Sequence, residues 1–209
     1  MGTRSVKQTF PISFDSDRWV RVPVAFAGEQ WASGDEWAEW IADELTQGRE
    51  SAAEFRDPLR DQAAAIAAFP TEHVSARFWF FPVDGDPAGW VDVYVQLRDR
   101  DGADASALLP EVGRTLIEPA IEALAVPSFD DALRRLTLAP IGAGDDDDPE
   151  SRPGILAKGE WVAVSGDWAV YLVSVDDDPR RLTLRLDDID ALFAGIDPRD
   201  VAAVPGGAR

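Results

Sequence analysis

The residue types that could do chemistry are few in this chain. His73 is the single histidine and there is no cysteine, so a thiol nucleophile and Cys-ligated zinc are excluded, and any imidazole base must be His73. His73 follows Glu72 at the expected start of a strand, which reads as a surface or edge position. Lys7 and Lys158 are the only lysines, and Lys158 precedes Gly159 and Glu160 in a turn-like setting, a poor one for Schiff-base chemistry. A Gly-Lys-Ser/Thr phosphate loop does not occur, and Gly142-Ala143-Gly144 runs into four aspartates that would repel a pyrophosphate. No cofactor is expected.

Carboxylates remain. Asp84/Asp86, Asp99/Asp101/Asp104 and Asp145 to Asp148 are turn-borne oxygen clusters of the type that suits calcium or magnesium. The middle cluster lacks the glycine and closing glutamate positions of a twelve-residue calcium loop. These clusters read as solvated turns and helix caps, and no metal site is assigned. Paired carboxylates also serve glycosidase-type acid/base work, and Asp92, mid-strand between Trp90 and Tyr94, is the acid best placed for a cleft wall.

The elements that would position Asp92 form a hairpin spanning residues 74–98. Its turn is Asp84-Gly85-Asp86-Pro87-Ala88-Gly89. Val91, Val93, Val95 and Leu97 share one face of the second strand, and Trp90, Asp92, Tyr94 and Gln96 the other. The first strand carries Phe78 and Phe80 on one side and Trp79 and Phe81 on the other, so it is apolar on both faces. Such a strand is covered on both sides or offers one aromatic face to a partner. Trp79, Phe81, Trp90, Asp92 and Tyr94 are therefore the candidate binding residues.

Around this hairpin the chain reads as α+β: an antiparallel, meandering sheet with three or four helices packed mainly on one face. Alternating apolar residues from Gln8 to Phe26 suggest two edge strands, broken by Pro11 and Pro23. Ser33-Gly34-Asp35-Glu36 is a capping box, followed by a Trp37, Trp40, Ile41, Leu45 stripe and a stop at Gly48. A second helix is expected over residues 49–68, with Asp57 capping its later half and Pro58 in that half's first turn. A third is expected from Ala105 or Pro110 to about Ala125, kinked at Pro119. A helical turn at 129–133 and a strand at 135–141 follow, then strands at 155–164, 168–175 and 181–186, and a closing helix capped by Asp187 or Asp188 and stopped by Gly195. Residues 1–196 read as one domain with a mobile acidic loop at 142–153, and residues 197–209 as a flexible tail.

Composition narrows the partner. Thirty-nine acidic against twenty basic residues give a formal charge of −19, which disfavours nucleic acid and anionic membranes and favours a basic or cationic partner. The N-terminal residues lack a continuous apolar leader and no apolar run of membrane-spanning length occurs, so the expectation is a soluble, cytoplasmic protein. The eight tryptophans exceed what one core buries easily, so some should line a groove or an oligomer contact. The function that follows is a non-catalytic binding or protein-interaction protein using an aromatic sheet face with an acidic rim, its partner a protein or a second copy. The alternative is a carboxylate-dependent hydrolase, calcium- or magnesium-assisted.

Overall fold

A computed structural model describes residues 10–26, 30–49, 52–83, 85, 87–98, 104–141 and 154–199. It holds seven β-strands and four α-helices, and every paired strand described below is antiparallel, so the class is α+β. The chain divides into two compact units, residues 17–94 and residues 1–16 with 95–209.

In the unit of residues 17–94, β1 (Trp19–Val22) pairs with β2 (Ala76–Phe80), which pairs with β3 (Trp90–Leu97). Two helices, α1 (Gly34–Thr46) and α2 (Ala52–Ala68), pack on one face of these strands. The capping box forms: Ser33 Oγ accepts from Glu36 N–H at 3.2 Å, and the Glu36 carboxylate accepts from Ala32 N–H at 2.7 Å, one residue before the cap. Gly48 ends the segment at φ 74°, a conformation that costs a side-chain-bearing residue. α2 runs unbroken through Pro58, so the expected boundary at Asp57 does not occur. Trp37, Ala38, Ile41 and Ala42 of α1 meet Leu59, Ala63, Ile66 and Ala67 of α2 over Val22, Trp79 and Phe81.

In the other unit, β4 (Ala120–Ala123), β5 (Asp131–Ile141), β6 (Gly154–Ser165) and β7 (Trp168–Asp176) pair in that order, with β4 at the edge. β6 and β7 turn at Ser165-Gly166-Asp167, with Gly166 at φ 55°. α3 (Pro179–Leu184) and α4 (Leu186–Ala194) close the chain. Trp161 Nε1–H donates to Asp190 of α4 at 2.5 Å, and its ring lies across Gly159, where an added Cβ would fall 2.6 Å from ring atoms. The opposite face is covered by a 3-10 turn at Ala105–Leu108, which packs with Leu109 on Leu133, Val162 and Val164.

Several expected elements are corrected. The helix over 105–125 is absent; Pro110, Gly113 and Pro119 interrupt it, and residues 120–123 find their hydrogen bonds in β5 instead. The helical turn at 129–133 gives way to an earlier start of β5. The strand at 181–186 is a helix, because Asp178 accepts from Arg180 N–H and Pro179 occupies the first helical position. Of the N-terminal pair of strands, only β1 and a single bridge, Ile12 to Ile196, are present among the described residues. The acidic loop at 142–153 and the tail beyond residue 199 lie outside the described residues.

Candidate functional site

Pairing of Trp79 with Trp90 and Arg77 with Asp92 places Trp79, Phe81, Trp90 and Asp92 on one face, as the alternation predicts. That face is not open. Trp79 is 0% and Phe81 4% exposed beneath α1 and α2, their rings edge-to-face with centroids 5.1 Å apart. The physical reason is the Trp37, Ile41, Leu59, Ala63 and Ile66 faces of the two helices, which need a large apolar surface to cover and find it here. Trp90 is half-buried, packed on the same core and edge-to-face with exposed Phe69 at 5.1 Å. Tyr94 is half-buried; burial pushes its phenol pKa up, and the Asp92 carboxylate adds to the rise while Arg77 opposes it. Of the expected five-residue face, Trp79, Phe81 and Asp92 form the buried floor of a core, and Trp90 and Tyr94 are half-buried at its rim.

Asp92 is likewise structural. Arg77 Nε and Nη2 donate to its two oxygens at 2.6 and 3.0 Å, and Arg77 Nη1 and Nη2 reach the carbonyls of Ile66, Phe69 and Pro70. One buried guanidinium thus caps the end of α2 and holds it to β3.

The same solution recurs. Arg135 Nε donates to Glu160 at 2.8 Å, with Lys158 Nζ at 2.7 Å and Tyr171 Oη–H at 2.7 Å completing that carboxylate's partners. Burial raises the Glu160 pKa, but the donors of Lys158, Tyr171 and Arg135 outweigh it and hold the group below the ordinary carboxylate range. Arg185 Nη1 donates to Asp176 at 2.6 Å and Nη2 to Ser174 at 3.2 Å. Every buried carboxylate among the described residues, Asp92, Glu160 and Asp176, is therefore committed to an arginine.

The remaining chemistry-bearing positions are surface groups. His73 holds φ 62° in a turn, with an exposed side chain 3.4 Å from Glu72. Asp104 caps the 3-10 turn, and the Ser106 hydroxyl and Ala107 N–H lower its pKa. Among the described residues no three His, Cys, Asp or Glu side chains are grouped to hold a metal ion. Asp84, Asp86, Asp99, Asp101 and Asp145 to Asp148 lie outside the described residues.

An aromatic surface exists elsewhere, on the outer side of α1. Trp40 is 39% exposed, and Trp31 packs against it with ring centroids 4.8 Å apart. Glu36, Trp40 and Glu44 follow at i, i+4 and i+8, all exposed, so an indole stands between two carboxylates on one helix flank. Trp40 shares the helical spacing of the Trp37, Ile41, Leu45 stripe, a pattern that points to the core, yet it is exposed while Trp37 is buried. The separating signal was the acidic residue four positions to each side of Trp40, since a stripe entering a core excludes such neighbours.

No protein-family model and no curated protein sequence matches the chain. No helix among the described residues is long and apolar enough to cross a membrane.

Proposed function

We propose that this chain is a non-catalytic protein-interaction protein that holds a basic partner on the outer flank of α1, with Trp31 and Trp40 as the contact surface and Glu36 and Glu44 as its acidic margin. The observation that supports this reading is exposed Trp40, set between Glu36 and Glu44 and backed by the half-buried ring of Trp31, on a chain of formal charge −19. An indole face attracts a guanidinium or ammonium through its quadrupole, and flanking carboxylates add Coulomb attraction without being buried themselves. The excess of acid over base hastens encounter with a positively charged protein and repels nucleic acid. A cytoplasmic setting suits this role.

The hydrolase reading is weaker, because the buried carboxylates serve as counter-ions to arginine. Fluorescence anisotropy with a labelled peptide of alternating Arg and Gly tests the proposal. Saturable binding that weakens with salt is expected, with Trp40→Ala reducing affinity about two- to fivefold and Glu36→Gln/Glu44→Gln reducing it further. Affinity unchanged in both variants would overturn it.

A further inference from the structure

We propose that the open edge of β4 pairs antiparallel with β4 of a second copy of this chain, about a two-fold axis at Ile121. This goes beyond the α1 reading and rests on different residues in the other unit.

β4 ends the strand order, and all four of its residues are exposed. Leu124 N–H donates to the Ala132 carbonyl at 2.8 Å, and Ala120 and Glu122 lie opposite Leu136 and Arg134. Backbone groups of an antiparallel strand alternate between its two neighbours, so Ile121 and Ala123 turn N–H and C=O to the open side. Pro119 contributes only a carbonyl there. An edge of this kind is a template for another strand. It is flanked by an unusual run of exposed aliphatic side chains, with Leu116 47%, Ile117 62% and Ile121 61% exposed.

The sequence of the edge selects the occupant, because it is self-complementary. A two-fold axis at Ile121 sets Ile121 opposite Ile121, Ala123 opposite Pro119, Glu122 opposite Ala120 and Glu118 opposite Leu124. Ile121 then exchanges both backbone hydrogen bonds with its mate, and each Ala123 N–H meets the carbonyl that Pro119 supplies. No carboxylate faces a carboxylate directly. The two Glu122 side chains are diagonal neighbours, and each is held by Arg134 at 2.6 Å. Pro119 sits where its missing N–H costs the register least, and it stops pairing from extending further. The opposing force is repulsion between two copies of charge −19, which salt screens.

Sedimentation velocity on the full chain at low and at high salt tests this. A monomer–dimer equilibrium is expected, with the dimer fraction rising with salt. Ile121→Asp should abolish the dimer with an unchanged circular dichroism spectrum. Because the chain has no cysteine, Ile121→Cys offers an independent probe: opposed residues in such a pair stand about 5.5 Å apart at Cα, within disulfide reach. Ile121→Cys should oxidise to a covalent dimer, whereas Leu184→Cys, at a still more exposed position, should not. The proposal is overturned by a monomer at both salts, by a dimer that survives Ile121→Asp, or by Leu184→Cys cross-linking as readily as Ile121→Cys.

Discussion

Arginine carries the interior electrostatics of this chain, and the bias of nearly all its basic residues toward Arg has a structural use. A guanidinium satisfies a carboxylate and several carbonyls at once, as Arg77 does, where a lysine ammonium could not match that planar fork. Removing one partner leaves the other charged and buried, so Asp92→Ala should cost about 3–5 kcal/mol, read from denaturant unfolding. An unchanged midpoint would show that Arg77 finds other partners. Glu160 yields a pH prediction. Its folded pKa lies below its unfolded value, so its contribution is present above about pH 4.3 and is lost as pH falls through the folded value. Glu160→Gln should therefore flatten the acid limb of a stability–pH profile; an acid limb as steep as wild type would contradict this. Trp79 is buried and Trp40 exposed, and stability should follow: Trp79→Ala should cost about 3–5 kcal/mol, while Trp40→Ala should change the melting midpoint little. Equal losses would mean that Trp40 is core after all.

Among the elements, termini and turns were more legible than interiors. Ser33, Gly48, Asp178 and Gly166 mark real boundaries because each meets a local backbone requirement that nearby residues alone determine, and Gly195 marks the end of α4 at an ordinary φ of −77°. Ser33→Ala should cost about 1 kcal/mol, seen as faster amide exchange at Glu36. Gly195 carries a tertiary demand as well: an added Cβ would stand 1.9 Å from the Ser13 carbonyl, whose own N–H donates to Gly195. Gly195→Ala should loosen residues 11–13, with lost protection of the Ser13 amide. Where reading failed, distant partners decided. Leu109, Val112 and Leu116 have helical spacing, yet only a 3-10 turn forms, at Ala105–Leu108; Leu108 and Leu109 pack on β5 and β6, the Pro110 carbonyl is held by Arg135, and Leu116 N–H donates to Leu138 of β5. The shared face of Trp79, Trp90 and Asp92 was legible, but its covering was not, since alternation reports which side chains share a face and says nothing of what lies over it. The α1 patch escaped notice because a Trp stripe resembles a core stripe unless its acidic flanks are weighed.

At the scale of the whole molecule, a charge of −19 acts with the placement of exposed apolar groups. In the proposed reading, acid keeps like copies apart at low salt and draws a basic partner in, and Trp40, backed by Trp31, is the surface on which that partner would rest. The eight indole N–H groups report on this directly. The Trp161 indole N–H is tied to Asp190, and that of Trp79 is buried with no hydrogen-bond partner among the described residues, so both serve as internal references. The decisive measurement is a titration of nitrogen-15-labelled protein with the Arg-Gly peptide, following the indole resonances. Shifts at Trp31 and Trp40 that saturate while Trp79 and Trp161 stay in place are the predicted result. Stationary Trp31 and Trp40 signals, or equal movement of all the indoles, would contradict a docking surface on α1.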